Sequence, residues 1–268
     1  MNGARILFAR ELRAHRRTFL AWAVPVALLL VLFCALQPSF VASGMLEAKL
    51  AGLPDSMRKA LGLTLVDFHR PPVYLATSFM YVTLPCGLFG ALLGANIVAK
   101  EELLHTAELL YAQPASRASI LVGKAGALAV YVIALPTVLG AVAMITLGAV
   151  VDAPLEGALV AQLFLGVAAL ALCFAGAGML VAALVRDARA ASPIALGLVV
   201  GTYFLGVLSA LTPAAAPLRF VAPHKLVEPA DIVSRGALDP VGALVLAAIG
   251  GGFAALAIVR YRRRDLHA

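Results

Sequence analysis

The stretch that decides the fold is GALVAQLFLGVAALALCFAGAGMLVAALV, residues 157–185, which runs for 29 residues without a charged side chain. About 20 apolar residues are enough for a helix to cross the hydrocarbon core of a bilayer. Five further uncharged blocks, of 20 to 29 residues each, occur at 18–46, 71–99, 125–151, 190–218 and 240–259. The six blocks predict an all-α, polytopic membrane protein with six transmembrane helices.

The composition leaves little material for a separate water-soluble domain. Of the 268 residues, 62% are hydrophobic and 13% charged, whereas soluble domains average roughly 45–50% and about 25%. We therefore predict one transmembrane domain over residues 1–268, with external segments at 41–70 and 219–239. The predicted spans are approximately 18–40, 73–99, 120–150, 158–185, 191–211 and 240–259.

The basic residues predict how the spans are oriented. Fourteen of the 21 Lys and Arg side chains fall on the side that holds both termini. Because positive residues stay in the cytoplasm, we expect both termini of this multi-pass protein to be cytoplasmic, with the inner (plasma) membrane as its location. The net charge of +7 is thus a topological signal that favours anionic lipid headgroups, and no nucleic acid is expected as a partner.

Four segments outside the blocks have patterns of their own. Residues 4–19 form a pattern typical of an N-terminal interfacial helix, with one stripe made of Ala4, Phe8, Leu12, His15 and Phe19. A positive anchor for the first span is the alternative. Residues 53–62 begin with Leu-Pro-Asp and end in Gly, which predicts a short external helix. Residues 152–156 can only form a tight hairpin. Residues 219–239 are too many for a turn and favour interfacial or re-entrant helices.

Small residues recur within the blocks at the spacing of close helix contacts. They are Gly90 and Gly94, Gly197 and Gly201, and the run at 250–252. We expect these glycines to pack helices against one another.

The sequence has no recognisable motif for catalysis, metal binding, nucleotide binding or ion coupling. No ionisable residue lies well inside any block, which weakens the hypothesis of an ion-coupled carrier. The five histidines are scattered over loops and termini, and Gly123-Lys124 lacks the Ser or Thr and the first Gly of a phosphate-binding loop. We therefore predict no catalytic residues, no metal and no cofactor on this chain. Asn96 and Gln162, polar residues near span ends, are candidates for the substrate path, with interhelical hydrogen bonding as the alternative.

The cytoplasmic loop between the second and third spans reads KEELLHTAELLYAQPASR, residues 100–117. On a helix, Glu101, His105 and Glu108 share one stripe while apolar residues share another. Pro114 ends that helix, so we predict an amphipathic cytoplasmic helix over Glu101–Tyr111. This pattern fits docking on a partner protein or lying on lipid headgroups equally well.

The order of residues in this loop resembles that of the permeases of type-two ABC exporters. The shared features are an acidic pair, a Thr, a Glu-Leu-Leu, a Pro before Ser-Arg, and a Gly-Lys pair. In this chain they are Glu101-Glu102, Thr106, Glu108-Leu109-Leu110, Pro114, Ser116-Arg117 and Gly123-Lys124. The external stretches at 53–62 and 222–236 are also similar. The chain departs from the family at His105, where Gly is frequent, and at His224-Lys225, where an aromatic pair is usual.

This resemblance implies a membrane-spanning subunit of an ATP-driven exporter that moves a hydrophobic or amphipathic substrate out of the cytoplasm or inner leaflet. The implied partners are separate ABC ATPase subunits, which carry ATP and Mg, and a second permease copy or a sister permease. The loop would be the coupling helix that docks on the ATPase. The implied docking residues are Glu101, Glu102, His105, Thr106, Glu108, Leu109 and Arg117. A motor-independent membrane enzyme or assembly scaffold, or an ion-coupled carrier, are the alternatives.

Overall fold

The computed structural model describes residues 2–60, 67–104 and 117–262, and all regular elements of these residues are helices. The α-helices are α1 (Asn2–Ala14), α2 (Arg16–Ser43), α3 (Met45–Ala51), α4 (Asp55–Ala60), α5 (Pro71–Thr77), α6 (Met80–Leu103), α7 (Arg117–Val150), α8 (Gly157–Leu184), α9 (Ala191–Leu211), α10 (Pro229–Arg235) and α11 (Pro240–Arg262). Short 3-10 helices cover Ala188–Ala190, Pro213–Val221 and Pro223–Val227. The predicted all-α class is confirmed.

Six of these helices, α2, α6, α7, α8, α9 and α11, are long and apolar enough to cross a membrane. The prediction of six transmembrane helices is therefore confirmed. Helices suit this setting because each one satisfies its own backbone hydrogen bonds, for which the hydrocarbon core offers no water.

The second span differs from the uncharged block that predicted it. The chain between 71 and 99 divides into α5 and α6, with a turn at Ser78 and Phe79. Helix α6 then continues past the block and ends at Leu103. The first residues of the predicted coupling helix, from Glu101 onward, are thus the last turn of α6. The boundary was misplaced because a charge ends a hydropathy block without ending a helix.

Helices α6 and α8 form the centre of the bundle. In their most apolar windows 72% and 78% of the residues are buried, against 22%, 17% and 22% for α2, α9 and α11. The outer helices therefore present apolar side chains to whatever surrounds the chain, which for a span is lipid or another membrane protein.

Glycines bring the central helices into backbone contact. A Cβ added at Gly90 or Gly94 of α6 would collide with the carbonyl oxygens of Ala171 or Ala175 of α8, and one at Gly178 with that of Ala91. Gly176 of α8 lies in the same way against Gly250 of α11. Small residues at these positions let helix backbones approach closely enough for dispersion contacts to hold the bundle.

Four of the glycines predicted to pack helices lie in open space. A Cβ added at Gly197, Gly201, Gly251 or Gly252 would have no atom within 4 Å among the described residues. For these four, the expected helix contact is absent from the described part of the chain. Sequence spacing identifies a surface that permits close approach, but it does not say which surfaces have a neighbour.

The segments predicted to be external contain short helices. Helix α4 begins at Asp55, as the Leu-Pro-Asp sequence predicts, and α10 ends at Arg235, followed by Gly236 in the left-handed conformation (φ 72°). The segment 219–239 is helical over most of its length, in agreement with its prediction. Arg70 donates two hydrogen bonds to the Glu156 carboxylate, at 2.9 and 2.8 Å, and so joins the approach to α5 to the α7–α8 hairpin.

The N-terminal helix α1 packs on the bundle through a different stripe from the predicted one. Its buried residues are Leu7 and Glu11, whereas Phe8 and Leu12 of the predicted stripe are half-buried. The Tyr131 hydroxyl of α7 donates a hydrogen bond to the carbonyl of Leu12. A helix with a fully buried acid on its inner face needs a cationic partner from the bundle.

Candidate functional site

The candidate site is the end of the bundle where α6 leads into the 105–116 segment and α7 follows it, the end that the sequence predicts to be cytoplasmic. Glu101 and Glu102 lie in the last turn of α6, and Arg117 is the first residue of α7. The predicted docking residues His105, Thr106, Glu108 and Leu109 lie outside the described residues. The structure therefore describes both flanks of the predicted coupling helix.

Glu101 pairs with Lys124, which lies in the second turn of α7. The Lys124 ammonium donates a hydrogen bond to Glu101 Oε2 and another, of 2.6 Å, to the carbonyl of Ile97. Only 5% of the Glu101 side chain and 2% of the Lys124 side chain are exposed. Glu101 is predicted to face a partner, and in this conformation its carboxylate points toward Lys124 in the interior of the bundle.

A second pair joins α1 to α6. Lys100 donates a hydrogen bond to Glu11 Oε2, and His15 Nε2 lies 3.2 Å from the same oxygen. Burial by itself would raise the pKa of Glu11, but the hydrogen bonds from His15 and Lys100 and the Lys100 charge outweigh it and lower the pKa to about 2. Glu11 is therefore an anion at any physiological pH.

Arg10 bridges the two pairs, because its Nη2 lies 3.3 Å from Glu11 Oε1 and 3.4 Å from Glu101 Oε1. We call Arg10, Glu11, Lys100, Glu101 and Lys124 the inner charge cluster. Removing one partner from a buried ion pair leaves an uncompensated charge, so the cluster fixes the relative position of α1, α6 and α7 at this end of the bundle.

A cavity of about 290 Å³ opens beside this cluster, between the α1–α2 junction and the inner end of α6. Its polar lining residues are His15, Thr18, Asn96 and Lys100. Its apolar lining residues are Leu93, Leu103 and Leu104.

The two polar residues proposed for a substrate path both make hydrogen bonds between elements. Asn96 Oδ1 accepts a hydrogen bond of 3.0 Å from Ser192 of α9, and Asn96 is exposed beside the cavity. Gln162 Oε1 accepts a hydrogen bond of 2.7 Å from the backbone N–H of Leu238, just before α11. Gln162 thus holds the external segment to α8, while Asn96 is the one that borders open space.

The inner charge cluster was not predicted from the sequence, because Glu11, Lys100 and Lys124 stood outside the uncharged blocks. One signal was available. Glu11 is the one acid among the arginines that precede the first span, and His15 follows it by one helical turn. The pairing of Glu101 with Lys124 depends on how α6 and α7 pack, which no local pattern specifies.

In a comparison with known protein families, the model described as ABC-2 family transporter protein matches residues 5–266. None of the curated proteins matches the chain.

Proposed function

The chain belongs to the ABC-2 transporter family, and from this premise we propose that it is the membrane subunit of an exporter whose ATPase subunits are separate chains. Membership makes it a permease subunit of an ABC transporter. The proposal adds the direction, out of the cytoplasm or inner leaflet, and a cargo that is hydrophobic or amphipathic. ATP and Mg would be held by the partner, because ATP hydrolysis is proposed for that chain alone.

The observation that carries the proposal is the way the two flanks of segment 105–116 are fixed. Helix α6, which precedes the segment, ends at Leu103, and close to that end Glu101 pairs with Lys124 and Lys100 pairs with Glu11. A displacement of the segment would therefore be passed to α6, α7 and α1 together. This is what a subunit needs if an external motor is to move its spans between inward-open and outward-open states.

Within the segment and its flanks, we assign contact with the ATPase to Glu102, His105, Thr106, Glu108, Leu109 and Arg117. Glu101 takes a supporting role, because its carboxylate holds the end of α6 to α7. An amphipathic helix anchored at both ends can present one face to a groove on the partner.

A second permease copy, or a sister permease, is proposed to cover α9. This span has the least buried window of the six, at 17%. Gly197 and Gly201 of α9 have open space around them, and small residues spaced four apart permit close approach of another transmembrane helix. Cysteine introduced by Gly201→Cys should cross-link two chains in membranes, whereas Gly252→Cys on α11 is the control with the same open surroundings.

We propose the orientation that the basic residues predict, with both termini in the cytoplasm and the protein in the inner (plasma) membrane. It places the inner charge cluster and segment 105–116 on the side where an ATPase finds ATP. A membrane-impermeant thiol reagent should label a cysteine at position 152 in intact cells and spare one at position 189.

The test of the proposed function is purification of the tagged chain from its native membrane in a mild detergent, followed by identification of its partners. We expect an ABC ATPase in a one-to-one ratio with the permease, and ATP hydrolysis by the complex that vanadate inhibits. A stable, active permease that never carries an ATPase would support the motor-independent enzyme or scaffold instead. Transport driven by an ion gradient without ATP would support a carrier.

A further inference from the structure

We infer that the cavity between the α1–α2 junction and α6 is a binding site for the anionic headgroup of an inner-leaflet amphiphile. The cavity lies next to Lys100 and His15, at the level where α2 begins with Arg16 and Arg17. The inference goes beyond the proposed function and needs no motor, so the two can fail separately.

The chemistry of the polar lining favours an anion. Lys100 has three N–H donors and uses one on Glu11. Asn96 accepts from Ser192 through its Oδ1, which leaves its amide N–H groups as donors, and Thr18 adds a hydroxyl. None of the described residues that line the cavity is a carboxylate, so a phosphate bound there would meet hydrogen-bond donors and no competing anion from these residues.

The charge balance points the same way. The inner charge cluster contains three cations, Arg10, Lys100 and Lys124, and two carboxylates, Glu11 and Glu101. The five residues of the cluster therefore carry a net charge of +1, beside the cavity. Basic pockets between transmembrane helices on the cytoplasmic side are the sites at which anionic headgroups bind.

The arrangement of polar and apolar residues matches an amphiphile better than a free ion. Leu93 lies seven residues from Lys100 on α6, about 10 Å along the helix axis toward the bundle centre. The cavity thus has the cationic Lys100 about two helical turns from the deeper, apolar Leu93, while Leu103 and Leu104 add apolar surface at the end of α6. At ~30 Å³ per water molecule, its volume of about 290 Å³ suits a glycerophosphate headgroup whose acyl chains continue along the exposed surface of α6 and α2.

The decisive experiment measures lipid binding to the purified permease in the absence of ATPase. Nanodiscs of phosphatidylcholine are prepared with increasing phosphatidylglycerol, and lipids retained on the protein are counted by native mass spectrometry. We expect one tightly retained phosphatidylglycerol per chain. Equal retention of the two lipids would overturn the inference.

Two variants test whether the lipid occupies this cavity. Thr18→Phe places a ring at an exposed lining position and leaves the pair of Glu11 and Lys100 intact, and Lys100→Gln removes the cation. Each should weaken phosphatidylglycerol retention about fivefold or more, the effect of one basic residue near a headgroup. Arg189→Gln, which removes an exposed inner-face cation away from the cavity, is the matched control and should retain lipid like the parent. Parent-like retention by Thr18→Phe, at unchanged thermal stability, would contradict the site.

Further experiments distinguish a free phosphate from a lipid headgroup, and a resident lipid from a transported one. Displacement of the lipid by millimolar inorganic phosphate or glycerol phosphate would overturn the assignment to an amphiphile. In proteoliposomes that contain the ATPase, labelled phosphatidylglycerol that stays in the inner leaflet with ATP identifies a resident lipid. ATP-dependent appearance in the outer leaflet, lost in Thr18→Phe, identifies cargo that enters through the same site. Both results support the site.

Discussion

Glu101 and Lys124 form a buried ion pair that joins the last turn of α6 to the second turn of α7, on either side of segment 105–116. The pair holds these ends of the two spans together. Both charges lie within the helices but outside the uncharged blocks, because block 71–99 ends before Glu101 and block 125–151 begins after Lys124.

Breaking this pair from one side should destabilise the protein. Among the described residues, Glu101→Met leaves the buried Lys124 ammonium with the Ile97 carbonyl as its remaining hydrogen-bond acceptor, at a cost of about 3 kcal/mol. Thermal unfolding of the purified permease should show a lowered midpoint. The double variant Glu101→Met/Lys124→Met removes both charges and should recover most of the loss, so a double variant as unstable as the single one would contradict the pairing.

Glycines that bring two helices into contact should tolerate substitution less well than glycines that lie in open space. Gly178→Ala introduces a methyl group against the Ala91 carbonyl and should cost about 1–3 kcal/mol through overpacking. Gly197→Ala, with no atom within 4 Å, is the matched substitution. It should leave the unfolding midpoint of the monomeric permease unchanged. If both substitutions have the same effect, the packing of α6 on α8 is not as described.

The pH dependence of stability should report His224, which lies in the 3-10 helix Pro223–Val227 between the rings of Phe174 and Tyr203. Burial, aided by the charge of Lys225, lowers the pKa of His224 to about 4. The unfolded chain, with a histidine pKa near its usual 6.5, then binds more protons than the folded one between these values. Stability should therefore fall as the pH drops from 6.5 toward 4.

His224→Phe keeps an aromatic ring in place and removes the titration, so it should abolish this slope above pH 4.5. A further loss of stability should remain in both proteins as the pH falls from 4.5 toward 2. In this range Glu11 of the unfolded chain, with its usual pKa of 4.5, binds a proton, whereas Glu11 of the folded chain, with a pKa of about 2, stays mostly ionised. An unchanged slope in His224→Phe between pH 6.5 and 4.5 would exclude His224 as its source.

Much of the fold could be predicted from the sequence because bilayer dimensions impose it. An uncharged stretch as long as 157–185 is typical of a membrane-spanning helix. Asp55 after Pro54 marks the start of a helix by local chemistry. The break at Ser78 and Phe79 was not predictable in this way, because both sides of it are equally apolar. It is visible only where α5 turns aside to be buried on the external side.

The candidate site was predictable in place but less so in detail. The loop pattern located the segment between α6 and α7, yet it assigned Glu101 to the same face as Glu108. The helix of α6 instead continues through Glu101 and directs it at Lys124. Which polar residues point outward depends on where one helix ends, and that is decided by tertiary contacts with α1 and α7.

The most direct test of the central claim, that segment 105–116 and its flanks receive the force of a separate ATPase, is the amount of ATPase retained by charge-reversal variants. In permease that is still folded, Glu102→Lys/Glu108→Lys should reduce co-purified ATPase about tenfold or more, since like charges that face each other across an interface cost several kcal/mol. Asp55→Lys/Asp152→Lys, a reversal of equal size on the predicted external face, should retain the ATPase like the parent. Full retention and transport in Glu102→Lys/Glu108→Lys would contradict the account.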